Sequence, residues 1–118
     1  MACLALGLLA AACSGNQYTP PATGPTATIS VASSCLQNPA RFWARINRRR
    51  TETYGCNQTA EWAVAPGHVA LEIQVEEAQY TVEPLTIDLD LTAGQCAHFL
   101  LRQRQGYDLE FFGIEACE

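Results

Sequence analysis

The sequence contains no lysine: all seven of its basic residues are arginine, and none of them precedes Arg41. A phosphate loop of the Gly-Lys-Ser/Thr kind is therefore excluded, and neither a dinucleotide motif nor a metal motif is present. No Cys-x-x-Cys occurs, which removes support for a thioredoxin-like redox role. His68 and His98 are the only histidines, and neither falls in an H-x-x-x-H or Ser/His/Asp pattern. No apolar run approaches the roughly 20 residues of a transmembrane helix, and no internal repeat points to a solenoid. The net charge of −5 argues against nucleic acid as a partner.

What is present begins with Ala2 to Ala12, a run of apolar or small residues long enough for the core of an export signal. It leads into Leu9-Ala10-Ala11-Ala12-Cys13-Ser14-Gly15, which resembles the lipobox of bacterial lipoproteins. The resemblance implies cleavage before Cys13 and a diacylglyceryl group on its thiol. Leu9 stands one place earlier than the favoured position, and residues 1–12 carry no basic residue. Ser14, rather than Asp, after the cysteine resembles the sorting pattern of lipoproteins sent to the outer membrane, facing the periplasm. The expected organisation is a signal peptide over 1–12, the lipidated cysteine with a tether over 13–25, and one domain over 26–118.

Export gives the other cysteines a meaning. Cys35, Cys56, Cys96 and Cys117 are an even number in a chain bound for an oxidising compartment, which reads as two disulfides. Of the three pairings, Cys35 with Cys56 and Cys96 with Cys117 are favoured because each closes a local loop, the second around a hairpin near Gly106-Tyr107. A zinc site built on Cys96 and His98 is the weaker reading in that compartment. No metal and no cofactor is expected.

Asn16 to Pro25 (NQYTPPATGP) is rich in Pro, Thr and Gly and is expected to be extended, a spacer of roughly 30 Å between membrane and domain. Thr26 to Ala32 reads as a first strand. Asn38 to Arg50 is ambiguous: Asn38-Pro39 looks like a helix start, whereas Phe42, Ala44 and Ile46 alternate as in a strand, and the β character of its neighbours favours strand. Trp62 and Val64, a Pro66-Gly67 turn, and Val69, Leu71, Ile73 and Val75 alternating with Glu72, Gln74 and Glu76 give strand, turn, strand. Leu85 to Leu91 alternates most clearly, with Thr86, Asp88 and Asp90 on its wet face. An Ala93-Gly94 turn, a strand over Cys96 to Arg102 and a return over Leu109 to Ala116 complete the series. Six to eight short strands argue for an all-β fold, a small antiparallel β-sandwich.

The stretch Trp62-Ala-Val-Ala-Pro-Gly-His68-Val-Ala-Leu71, with the later Leu91-Thr-Ala-Gly-Gln-Cys96-Ala-His-Phe99, resembles the turn-and-strand pattern of PEGA-like, transthyretin-like β-sandwiches in bacterial envelope lipoproteins. The resemblance covers about forty residues and implies an envelope module without catalytic residues.

Five arginines (Arg41, Arg45, Arg48, Arg49, Arg50) fall within ten positions, and all twelve acidic residues follow, from Glu52 to Glu118. Arg45, Arg48, Arg49 and Arg50 are the candidate anion-binding residues, because guanidinium groups grip phosphates and carboxylates in a bidentate manner. Trp43 and Trp62 are expected in the core, and Asp88 and Asp90 on a solvated face. The expectation is a non-enzymatic lipid-anchored module that meets the membrane through its N-terminal lipid and binds an anionic envelope component or another envelope protein. The alternative is a periplasmic inhibitor of a secreted hydrolase, a lysozyme or protease, acting through the loop from Tyr54 to Glu61.

Overall fold

A computed structural model describes residues 17–34, 40–55, 57–76, 82–103 and 107–117. The described residues form β1 (Ala27–Ser34), β2 (Arg41–Ile46), β3 (Arg49–Arg50), β4 (Tyr54–Gly55), β5 (Thr59–Val64), β6 (Gly67–Glu76), β7 (Leu85–Leu91), β8 (Gln95–Gln103) and β9 (Tyr107–Ala116), with no helix among them. They build two sheets, one in the order β5-β1-β8-β9 and one in the order β3-β2-β6-β7, with β4 also on β2. The all-β sandwich expected from the alternation is the observed architecture.

Period-2 patterning makes the sandwich. Phe42, Ala44 and Ile46 of β2 and Val69, Leu71, Ile73 and Val75 of β6 are buried from one sheet. Ile29 and Val31 of β1, Trp62 and Val64 of β5, and Ala97, Phe99 and Leu101 of β8 are buried from the other. Each strand alternates these residues with less buried ones, so both sheets have one dry face and one that meets water. The ambiguous stretch ending at Arg50 is strand from Arg41 onward; Cys35 to Pro39, and with them the Asn38-Pro39 signal, lie outside the described residues.

Two details depart from expectation. Among the described residues the strand count is nine because one edge strand is split: β3 and β4 both pair with β2 on the side away from β6, Arg50 opposite Arg45 and Tyr54 opposite Phe42. Between them the chain bulges at buried Thr51, whose N–H donates to the Ala44 carbonyl (2.8 Å) while its Oγ1 accepts the Ala44 N–H (3.0 Å). A side chain thus completes the ladder where the backbone leaves it. Thr51→Val keeps the shape but orphans the buried Ala44 N–H, and chemical denaturation is expected to show a loss of about 1–3 kcal/mol.

The second departure is a parallel pair. β1 lies between antiparallel β5 and parallel β8, with Ile29 opposite both Trp62 and Ala97. Parallel neighbours need a long crossover, and here everything from β2 to β7 supplies it. The Pro66-Gly67 and Ala93-Gly94 turns accordingly carry the chain between sheets and do not close hairpins. The terminal pair β8–β9 is an antiparallel hairpin as expected. It contains a bulge in which Phe112 has no partner, between Phe111 opposite Phe99 and Gly113 opposite His98. Gly113 has φ +119°, a backbone that glycine adopts readily, and the bulge leaves Phe112 63 % exposed.

Cys96 and Cys117 are joined, with Cα atoms 5.1 Å apart, closing the open end of that hairpin. Cys13, Cys35 and Cys56 lie outside the described residues.

Candidate functional site

The outer face of the second sheet is a ladder of charge laid down by register. β2 presents Arg41, Trp43 and Arg45, and β6 sets Glu76, Gln74 and Glu72 directly opposite them. Arg41 reaches Glu76 at 3.2 Å and Arg45 reaches Glu72 at 3.0 Å. These partly exposed pairs each contribute about 0–1 kcal/mol and fix cross-strand register more than they stabilise the fold.

Trp43 belongs to this face, which corrects its expected place in the core. Residues on β2 alternate, so burial of Phe42 and Ala44 sends Trp43 outward. The Arg50 guanidinium stacks over its ring, 3.9 Å from the centroid, and also donates to Thr53 Oγ1 at 3.3 Å. Stacking gives Arg50, which faces Arg45 across the strands, a partner other than a like charge. Trp62 does lie in the core, its Nε1 donating to the Tyr54 hydroxyl at 3.1 Å.

The turn joining β2 to β3 has positive φ at both central residues, +50° at Asn47 and +73° at Arg48. That is the twist a two-residue hairpin requires, in which Asn is favoured first and Gly second. Asn47 meets the demand and also extends the sheet, its N–H donating to the Ala70 carbonyl (2.9 Å) and its Oδ1 accepting the Ala70 N–H (2.8 Å). Arg48 occupies the glycine position, and it and Arg49 are exposed at the tip. Of the four candidate anion-binding arginines, Arg45 is engaged by Glu72 and Arg50 lies on Trp43. Arg48 and Arg49 project at the hairpin end.

Composition concealed a contribution from the N-terminal segment. Gln17 pairs in parallel with Arg50, and the Tyr18 N–H donates to the Arg50 carbonyl at 2.7 Å. The Tyr18 hydroxyl reaches across to the Ala63 carbonyl of β5, so this one residue bridges an edge of each sheet. Tyr18 packs on the core as well. Burial raises its hydroxyl above the ordinary tyrosine pKa. The clamp is therefore intact below the usual value near 10 and is lost only as pH rises through the raised one. The Pro/Thr-rich stretch, expected to be a free spacer, is thus held to the domain at Gln17 and Tyr18. Its one aromatic residue was the available signal.

The remaining candidates have structural partners. His68 lies between Asp90 (3.3 Å) and Asp88 (3.5 Å) on the outer face of β6 and β7, and His98 pairs with Glu115 at 3.1 Å across β8 and β9. A cleft of about 500 Å³ opens between β7 and β9, but the Arg102 guanidinium on its wall is held by Glu110 at 2.5 Å. No helix among the described residues is long and apolar enough to cross a membrane. Compared with models of protein families, with curated proteins and with solved structures, the chain finds no match. None of these comparisons identifies a PEGA-like or transthyretin-like domain.

Proposed function

We propose that the chain is a lipid-anchored lipoprotein of the bacterial envelope, held through Cys13 in the outer membrane and facing the periplasm, where its domain acts as a non-catalytic binding module for an anionic envelope component. The observation that carries the reading is the Cys96–Cys117 bond. Disulfides of this kind persist in oxidising compartments, and an apolar leader ending at a lipobox-like cysteine is a route to one. The binding role is supported by the hairpin, where register commits Arg45 to Glu72 and the turn presents Arg48 and Arg49 to solvent.

Fractionation of cells producing the wild type and Cys13→Ala tests the reading. The wild type is expected in the membrane pellet, and Cys13→Ala is expected to move largely to the soluble periplasmic fraction, because no helix among the described residues is long and apolar enough to cross a membrane and the lipid would be the principal hold. Equal membrane retention of both would sink the anchor.

A further inference from the structure

The seam between β5, at the edge of one sheet, and β3 with β4, at the edge of the other, holds a cleft of about 270 Å³. Tyr18 from the N-terminal segment, Tyr54 from β4 and Trp62 from β5 line it, together with Pro20, Glu52 and Glu61. The rings are fixed by contacts already made. Tyr54 and Trp62 meet edge-on with centroids 5.9 Å apart, and Trp62 Nε1 donates to the Tyr54 hydroxyl at 3.1 Å. Tyr18 is tied to both sheets, through the Arg50 carbonyl on one and the Ala63 carbonyl on the other. Trp62 is buried, whereas Tyr18 and Tyr54 are half-buried and keep ring surface open to water.

The charges at this cleft are of one sign. Glu52 and Glu61 are exposed, and neither takes part in an ion pair among the described residues. No basic residue is among those that line the cleft. Arg49 and Arg50 come just before the lining stretch that starts at Thr51, but the Arg50 guanidinium lies over Trp43 on the outer face of the sheet. An anion is repelled here, and a neutral apolar ligand takes water from two carboxylates without replacing it. No group of His, Cys, Asp and Glu among the described residues could hold a metal ion. An alkylammonium suits all the parts at once: its methyl or methylene groups meet apolar ring surface, and its charge is attracted both by the rings and by the carboxylates.

We propose that this cleft binds an organic cation, an alkylammonium group seated against Tyr18, Tyr54 and Trp62 with Glu52 and Glu61 at its rim. The site goes beyond the function proposed above: its specificity is opposite in sign to that of an arginine hairpin, and it stands without lipidation of Cys13. Few convergent polar groups around an aromatic floor are what a small-ligand site requires.

The test is a titration of the full chain, disulfide intact and in a non-ionic detergent, with choline, with butylammonium and with the neutral carbon isostere of choline. Proton–nitrogen correlation spectra report the two indole N–H groups separately, and Trp43, which lies on the outer face, is the internal control. Either cation is expected to move the Trp62 signal saturably in the millimolar range and to leave that of Trp43 in place. The tighter of the two cations distinguishes a quaternary from a primary ammonium as the source. The neutral isostere is expected to bind at least tenfold more weakly than choline. Glu52→Gln combined with Glu61→Gln removes two charges at exposed positions and is expected to weaken cation binding about tenfold, with an unchanged Trp43 signal showing that the sheet is intact. No saturable shift with either cation overturns the site. A response to the neutral isostere equal to that for choline, or equal affinity in the doubly substituted protein, overturns its selectivity for cations and the proposal with it.

Discussion

Replacing Cys96 and Cys117 together by serine is expected to lower the melting temperature by roughly 12–24 °C, measured by far-UV circular dichroism under non-reducing conditions. The bond spans 21 positions of sequence, and loop-closure entropy for a ring of that size is worth about 3 kcal/mol. A domain of this length converts each kcal/mol into roughly 4–8 °C. The place of the bond adds to the effect. β9 is an edge strand, paired only with β8, and Phe111, Phe112 and Ile114 are exposed along it. Gln103 pairs with Tyr107 at one end of this hairpin, and the disulfide closes the other. With the bond gone, β9 is free to fray from its C-terminal end, uncovering an apolar strand edge of the kind that pairs with other chains. Concentration-dependent aggregation on heating should accompany the lower melting temperature. An unchanged melting temperature would mean that β9 does not depend on the bond.

The second large effect separates two adjacent residues. Phe42→Ala is expected to cost about 3–5 kcal/mol and Trp43→Ala about 1 kcal/mol or less, in chemical denaturation of both proteins. Phe42 is 1 % exposed and stacks on Tyr54, ring centroids 5.5 Å apart, while Tyr54 meets Trp62 edge-on at 5.9 Å. Removing Phe42 leaves a cavity at the head of an aromatic chain that links the two sheets. Trp43, although larger, lies on the wet face beneath Arg50. Its loss forfeits a stacking contact and no core volume. Equal costs would contradict the strand register of β2.

The contrast also shows where the sequence was legible. β6 and β7 could be read directly, because their apolar residues alternate over seven positions and one buried face dictates that pattern. The bond between Cys96 and Cys117 was legible for a related reason, since a hairpin brings its two ends together. Trp43 was misread because hydrophobicity alone assigns a large aromatic to the core, whereas the alternation of Phe42, Ala44 and Ile46 already commits the inner face. The split edge strand left no pattern, β3 and β4 being two residues each. The parallel neighbours β1 and β8 meet through contacts between residues about seventy positions apart, such as Ile29 and Ala97, which no local signal encodes. Tyr18 was hidden by its Pro/Thr-rich surroundings, which suggest solvated chain. For the candidate site, the arginine cluster stood out in the sequence, but the engagement of Arg45 by Glu72 and the stacking of Arg50 on Trp43 did not. Those contacts follow from register with β6 and from the alternation of β2.

The account turns on the N-terminus, because the proposed export and lipidation at Cys13 would put the Cys96–Cys117 disulfide in an oxidising compartment. The most direct test is intact-mass spectrometry, with N-terminal fragmentation, of the protein extracted from membranes without reduction. The expected mass begins at Cys13, lacks residues 1–12, carries a diacylglyceryl group on that cysteine, and is lower by the two hydrogens of the Cys96–Cys117 bond and by two more for each further disulfide. A chain that retains residues 1–12, or one that begins at Cys13 with an unmodified thiol, would contradict it.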